Sequence, residues 1–181
     1  MSGLPESREE YLLVLRAQTG DREALDHLFR RVQIPLLRHL MLVTRNPADA
    51  EDVAQQVFLL VHRKLDWLRD PALFRPWLYR IATRQALAHV ARQRARGEAE
   101  LSETAAAVMT IDRSMQVEEV RRKIDHLPAA TRAVLSLHYV DGYTLEESAA
   151  ILGLPIGTAK SRLWAGVARL RRLFQPTRGE I

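Results

Sequence analysis

The chain of 181 residues contains no cysteine. Disulfides and thiolate metal sites are therefore excluded, and a reducing compartment is compatible though not demanded. Glycine and proline are scarce, at eight each, so little in the chain forbids long helices. No apolar run approaches the roughly 20 residues needed to cross a bilayer. The opening MSGLPESREEYLL is acidic and polar, unlike a secretory signal. The expectation is a cytoplasmic protein with no membrane insertion. The histidines (His27, His39, His62, His89, His126 and His138) are scattered without ligand spacing. There is no HExxH pair, Gly-rich phosphate loop or cysteine nucleophile. These absences argue against an enzyme, so no catalytic residue, no metal and no cofactor is expected.

What is present is apolar content of 47%, enough for packed cores, and a net charge of +5 that favours a polyanionic partner. Long amphipathic segments dominate and no alternating strand pattern is found. The predicted fold class is all-α, with two small helical domains joined by a flexible linker. Expected bounds are 1–95 and 116–176, with a linker at 96–115 and a tail at 177–181. In the first block, Tyr11–Ala17 reads as helix. Asp21 caps a second helix through Leu28, Phe29 and Val32, which Pro35 must bend or interrupt. Asn46-Pro47 marks a turn. Asp49–Trp67 follows as a helix with Val53, Val57, Leu60, Val61 and Leu65 as its apolar stripe. Asp70-Pro71 breaks it. Phe74–Arg92 is the next helix, with Phe74, Trp77, Leu78 and Ile81 inward. Arg94–Met115 lacks large-residue periodicity and reads as linker. The second block starts near Gln116, with Val117, Val120 and Ile124 on a helix that Leu127-Pro128 ends. Thr131–Val140 forms the next helix, and Asp141-Gly142 turns the chain.

Tyr143–Phe174 then reads as helix, tight turn, helix. Thr144 and Glu147 have capping-box spacing. Leu145, Ala149 and Leu152 form an apolar face, and Gly153 supplies a helix-ending positive φ. The second helix starts near Ile156 or Gly157. Ala159, Leu163, Gly166, Val167, Leu170 and Phe174 fall inward at 100° per residue. Thr158, Ser161, Trp164, Ala165, Arg169 and Arg172 fall on the opposite side, with Lys160 and Arg162 on the flanks. From Ser148 to Gly179 there are six basic residues and no acid. A solvated helix ordinarily carries both signs. This bias suits a helix in the major groove, where such side chains read base edges and grip phosphates. Trp164 fits either a DNA contact or a cover over the hydrophobic seam.

Pro71–Gly97 again holds six arginines and no acid, interleaved with Phe74, Trp77 and Tyr79. Basic groups hold phosphates while aromatic faces stack unpaired bases, a combination suited to single-stranded or melting DNA. Phe74 and Trp77 lie with Ile81 on the core side. Tyr79, Arg80 and Thr83 point away from it and are the better contact candidates. The preceding helix opens with Asp49, Glu51 and Asp52, with Gln55 and Gln56 behind. Helix-dipole complementarity and a protein docking face both account for these acids.

Three motifs in order carry a family resemblance: DAEDVAQQVFLLVHRKLD (Asp49–Asp66), FRPWLYRIATRQALAHVARQ (Phe74–Gln93) and LPAATRAVLSLHYVDGYTLEESAAILGLPIGTAKSRLWAGVARLRRL (Leu127–Leu173). Together they resemble bacterial RNA polymerase sigma factors of the extracytoplasmic-function type, which keep only regions 2 and 4. The resemblance spans about Asp21–Gln93 and Gln116–Phe174. It implies that Asp49, Glu51, Asp52, Gln55, Gln56 and Phe58 dock on the β′ clamp helices of core RNA polymerase. It implies that Leu68–Arg92 captures the −10 element as single-stranded DNA, with Arg75, Tyr79, Arg80, Thr83, Arg84 and Arg92 as contacts. It implies −35 reading by Thr158, Lys160, Ser161, Arg162, Trp164 and Arg169. Binding of the β flap through Leu127–Leu137, promoter DNA as ligand, and control by an anti-sigma factor are also implied. The chain departs from the family pattern at Gln56, where an acid is usual, at Arg84 and Ala88, where Asn and Asp are usual, and at Ala165, where arginine is common. A stand-alone helix-turn-helix regulator is the alternative, and it would bind a palindromic site as a dimer.

Overall fold

The computed structural model describes residues 4–97 and 123–174, with side chains described from residue 8 onward. Among the described residues there is no strand; seven α-helices are described over their whole length, and residues 123–125 are the end of another. The seven are α1 (Leu4–Gln18), α2 (Arg22–Thr44), α3 (Pro47–Lys64), α4 (Phe74–Arg96), α5 (Ala129–Leu135), α6 (Leu145–Leu152) and α7 (Ile156–Phe174). Two 3₁₀ turns, Leu65–Trp67 and Pro71–Leu73, join α3 to α4, and a π-turn, Ser136–Val140, prolongs α5. The expected linker beyond Gly97, the helix start at Val117 and Val120, and the tail at 177–181 lie outside the described residues.

Helix boundaries follow from local chemistry. Asp21 accepts from the Ala24 amide at 3.0 Å and starts α2. Asn46 caps α3 through the amides of Ala48 and Asp49, with Pro47 in the first turn, where its missing N–H costs nothing. Pro35, expected to bend or interrupt the helix, does not interrupt it: α2 continues through it from Arg22 to Thr44. Leu28, Val32, Leu36 and Leu40, all fully buried on one face, pack both sides of Pro35 into the core. Their burial, about 1.5–3 kcal/mol each, outweighs the roughly 3 kcal/mol cost of an interior proline. The α3 helix stops at Lys64, three residues early, and tightens into a 3₁₀ turn that points Trp67 outward. The α4 helix runs past Arg92 to Arg96, where Gly97 adopts φ 74°.

The core formed by α1 to α4 extends into the second block: Ala129 and Ala133 of α5 belong to the same buried cluster as Val53, Phe74 and Leu78. A second cluster, Leu127, Val134, Leu135 and Leu163, holds α5 to α7. A third joins Tyr79 to Leu137 and Ile151. The two sequence blocks are therefore packed against each other through α2–α5 and α4–α6.

The helix-turn-helix forms as the spacing predicts. Thr144 Oγ1 accepts from the Glu147 amide at 3.1 Å, and Glu147 Oε2 accepts from the Thr144 amide at 2.8 Å. Gly153 has φ 65°, and the Leu154 amide closes the α6 C-terminus on Ala149 O at 2.9 Å. Gly166 faces α5 so closely that a Cβ there would lie 2.8 Å from Thr131 Cγ2. Phe174, expected inward, is 44% exposed, with Lys123 Nζ 3.9 Å from its ring centroid.

Candidate nucleic-acid and polymerase interface

Along α7, Ala159, Leu163 and Gly166 are buried and form the inner face. Lys160, Ser161, Trp164 and Arg169 are exposed, while Thr158 and Arg162 are half-buried. The structure brings these six predicted residues onto one outward surface. Trp164 is 66% exposed with Lys160 Nζ 5.3 Å from its ring centroid, so it does not cover the seam.

The α4 candidates are placed differently. Arg84 and Arg92 are exposed. Arg75 forks onto Glu10, with Nε donating at 2.9 and 2.8 Å and Nη2 at 2.7 Å. Burial opposes the Arg75 charge, but the hydrogen bond and negative charge of Glu10 raise its pKa overall. Arg80 Nη2 donates to Ala150 O at 3.0 Å, on the negative end of α6. The expectation that Tyr79 and Thr83 stand open to a ligand is corrected: they are 4% and 1% exposed. They do leave the region-2 core as predicted, but the second block covers them.

That cover is a hydrogen-bonded latch. Asp141 Oδ1 accepts from Tyr79 Oη at 3.0 Å. Asp141 Oδ2 lies 3.0 Å from His39 Nδ1 and accepts from Ser136 Oγ at 3.2 Å. His39, fully buried, places Nε2 2.8 Å from Thr83 Oγ1. A ring protonated at Nδ1 satisfies the whole set: Nδ1–H donates toward Asp141 and Ser136, and Nε2 accepts from Thr83. The Tyr79 ring lies edge-on between His39 (5.1 Å) and Tyr143 (5.5 Å). Buried polar groups of this kind are costly unless every member is partnered, so the latch tolerates one arrangement of the two blocks.

Burial, helped by the negative charge of Asp141, pushes both the Tyr79 and Tyr143 phenols far above the ordinary tyrosine value, with Arg75 pulling back. The folded value is raised, so stability is complete below about pH 10 and falls above it as the unfolded chain releases these protons first. An alkaline titration followed by tyrosinate absorbance should show a late phase coincident with loss of tertiary structure. A Tyr79→Phe, Tyr143→Phe double variant should lack that phase.

Arg132 is the second anchor and is 1% exposed. Its Nε donates to Leu42 O at 2.7 Å and Nη2 to Val43 O at 2.6 Å, both at the C-terminus of α2, while Nη1 donates to Leu127 O. Burial lowers its pKa to about 10, so the guanidinium is still charged at neutral pH.

On α3, Glu51, Asp52, Gln55 and Gln56 form an exposed polar strip. The other two predicted docking residues serve the fold. Asp49 accepts from Gln93 Nε2 at 3.0 and 2.9 Å and lies 3.1 Å from His89 Nε2, tying α3 to α4. Phe58 packs on Phe29 with ring centroids 4.7 Å apart. An open apolar groove of about 420 Å³, lined by Leu135, Tyr139, Val167, Leu170, Arg171 and Phe174, marks the other side of α7. Among the described residues there is no metal-binding cluster of His, Asp or Glu, and no helix long and apolar enough to cross a membrane.

Sequence reasoning did not single out Glu10, His39, Arg132, Ser136 or Asp141. Arg132 alone carried a signal, as the one charge within the apolar helix AATRAVL.

A basic outward helix of a helix-turn-helix, set beside a second helical unit with an acidic strip and an arginine-rich helix, defines an all-α DNA-binding protein with two helical units. Comparison with known proteins narrows the class. Residues 28–96 match the family model for Sigma-70 region 2, and residues 117–170 match that for Sigma-70, region 4. The ECF RNA polymerase sigma factor SigM of Mycobacterium tuberculosis is 35% identical over 92% of this chain and 85% of its own. The ECF RNA polymerase sigma-E factor of Escherichia coli K12 is 33% identical over 96% of this chain and 98% of its own. The sigma factor RpoE of Bartonella quintana, solved in complex with the anti-sigma factor NepR, superposes with a TM-score of 0.68 at 22% identity, covering 84% of this chain and 98% of that one. The chain belongs to the extracytoplasmic-function sigma factors, and it acts as an alternative sigma factor directing promoter-specific transcription initiation.

Proposed function

We propose that this sigma factor reads the −35 element with the outward face of α7 and captures the −10 element with α4 and the turn before it, in the cytoplasm and with no chemistry of its own. The observation that carries the reading is the acid-free α7 surface, where Thr158, Lys160, Ser161, Arg162, Trp164 and Arg169 converge beside a capped, tightly packed helix. The exposed strip Glu51, Asp52, Gln55 and Gln56 is the surface for the β′ clamp helices, with Asp49 and Phe58 holding it in shape. The groove at Leu135 and Val167 is the surface for the β flap. An anti-sigma factor, of the kind co-crystallised with the Bartonella protein, would compete for these surfaces.

In this reading the latched arrangement is a resting form. Tyr79, Arg80 and Thr83 reach −10 DNA only after Asp141 and Ala150 release them, whereas Arg84 and Arg92 are presented throughout. In vitro transcription with core polymerase tests the whole proposal, and failure to initiate at any promoter of the host genome would sink it. Arg162→Ala should weaken −35 binding several-fold and reduce the slope of log affinity against log salt by about 1. A gel-shift salt series on a −35 duplex checks this.

A further inference from the structure

The packing of the two blocks joins two acid-free cationic stretches. Pro71–Gly97, which spans α4, holds six arginines and no Asp or Glu. Ser148–Phe174, which spans the end of α6, the turn and α7, holds five basic residues and no acid. They meet at Arg80. Its Nη2 donates to Ala150 O at 3.0 Å, and a Cβ added to Gly153, in the turn of the helix-turn-helix, would lie 4.0 Å from the same nitrogen. Arg80 is exposed, and this contact uses one of the five N–H donors of a guanidinium. Arg84 follows one turn further along α4, about 40° around the axis from Arg80, and is exposed as well.

Like charges from two blocks are thus held side by side by the apolar and latch contacts behind them. The acids of the surrounding elements are placed elsewhere or already partnered. Glu146 and Glu147 lie in the first turn of α6, and Glu147 closes the capping box. Glu10 holds Arg75, Asp49 holds Gln93 and His89, and Asp141 is buried in the latch. Glu51 and Asp52 belong to the exposed strip of α3, which packs on α2 and α4. A polyanion is the ligand that relieves such a surface. Its position selects duplex DNA. In a helix-turn-helix the second helix enters the major groove and the first crosses the backbone. Arg80 is fixed at the C-terminal end of that first helix, next to the turn that starts α7, where a phosphate strand would pass. The arrangement that covers Tyr79 and Thr83 leaves Lys160, Ser161, Trp164 and Arg169 exposed.

We infer that the closed protein binds −35 duplex DNA without polymerase, and that Arg80 and Arg84 of α4 then serve as phosphate contacts beside α7. The inference rests on the proposed reading of −35 by α7. It gives the resting form an activity of its own, the occupation of duplex promoter by sigma alone. Duplex and single strand pull the latch in opposite directions. Duplex holds it shut, because only the closed form sets both blocks on one backbone, whereas capture of −10 through Tyr79 and Thr83 needs it open.

The test is a gel-shift salt series with the full chain and no polymerase, on the −35 duplex of a promoter that the wild-type holoenzyme is first shown to use. A holoenzyme failure at that stage defeats the functional proposal; holoenzyme success with no duplex binding by the free protein at low salt defeats this inference alone. The free protein should prefer the duplex to one of equal length with the −35 sequence scrambled. Arg84→Ala, at an exposed position, should weaken binding several-fold and lower the slope of log affinity against log salt by about 1. Arg80→Ala should do the same. In an Asp141→Ala background, with opening verified by energy transfer between dyes on the two blocks, Arg84→Ala should change neither affinity nor slope. Equal affinity for the scrambled duplex, or wild-type affinity and slope in Arg84→Ala, would overturn the inference. So would an equal Arg84→Ala loss in the closed and opened backgrounds, which would make the contact independent of closure.

Discussion

Arg132→Ala should lower the thermal midpoint by roughly 6–12 °C, measured by circular dichroism. The guanidinium satisfies three main-chain carbonyls at once, at Leu42, Val43 and Leu127. Removing it leaves them unpartnered in a site closed to water, at about 1–3 kcal/mol for each buried acceptor. Desolvation of the cation, visible in its pKa of about 10, opposes part of that gain, so a net loss of about 3 kcal/mol is expected. In a chain of this size that corresponds to about 2–4 °C per kcal/mol. Arg132→Met separates packing from hydrogen bonding, because it fills most of the volume and supplies no donor. It should recover little of the loss. A methionine variant as stable as wild type would show that the carbonyl contacts contribute nothing net. Arg132→Lys should also fail, since a single nitrogen cannot reach three acceptors that the guanidinium meets from Nε, Nη1 and Nη2 separately.

Asp141→Ala should open the molecule while leaving its helices intact. The carboxylate is the common acceptor for Tyr79 and Ser136 and faces His39. Without it Tyr79 loses its partner and His39 and Ser136 keep only each other at that end, and a shift of about 3 kcal/mol changes the closed-to-open ratio roughly 100-fold. The absence of cysteine makes the measurement clean, because Gln33→Cys and Arg172→Cys, both at exposed positions, label the two blocks without background. Energy transfer between dyes at these sites should fall in the Asp141→Ala background, with far-UV dichroism unchanged. An unaltered transfer efficiency would show that the remaining contacts, Arg132 on Leu42 and Val43, Arg80 on Ala150 and the apolar clusters, keep the blocks together without Asp141. If the resting-form reading is right, the same variant should initiate more transcription than wild type when sigma is limiting.

The sequence made the helical frame legible because caps, turns and periodicity are local. Asp21, Asn46-Pro47, Thr144/Glu147 and Gly153 each do in the structure what their spacing implies. The failures arise where a distant element decides. Pro35 sits inside a continuous helix because buried leucines and valines on both sides outweigh its cost. Tyr79 and Thr83 leave their own core as the helical wheel predicts, yet a wheel drawn for α4 cannot contain α6 and the π-turn that cover them. Asp49 is the first-turn acid that its spacing implies, but its partners Gln93 and His89 on α4, like the Phe29 ring that packs on Phe58, lie on other helices and could not be read from α3 alone. The outward face of α7 was legible because it is defined by its own periodicity against α5.

The π-turn at Ser136–Val140 has an evolutionary consequence. The Asp141 amide donates to Ser136 O at 2.9 Å, a five-residue step in place of four. It is equivalent to a one-residue insertion absorbed within a helix. Deleting a single codon there would restore ordinary helical winding and swing Asp141 about 100° around the axis, away from His39 and Tyr79. The capping box and α7 would keep their own geometry. In the proposed reading, control of closure and choice of promoter are thus separable by inheritance: a lineage could change one through a single in-frame deletion while α7 stayed untouched.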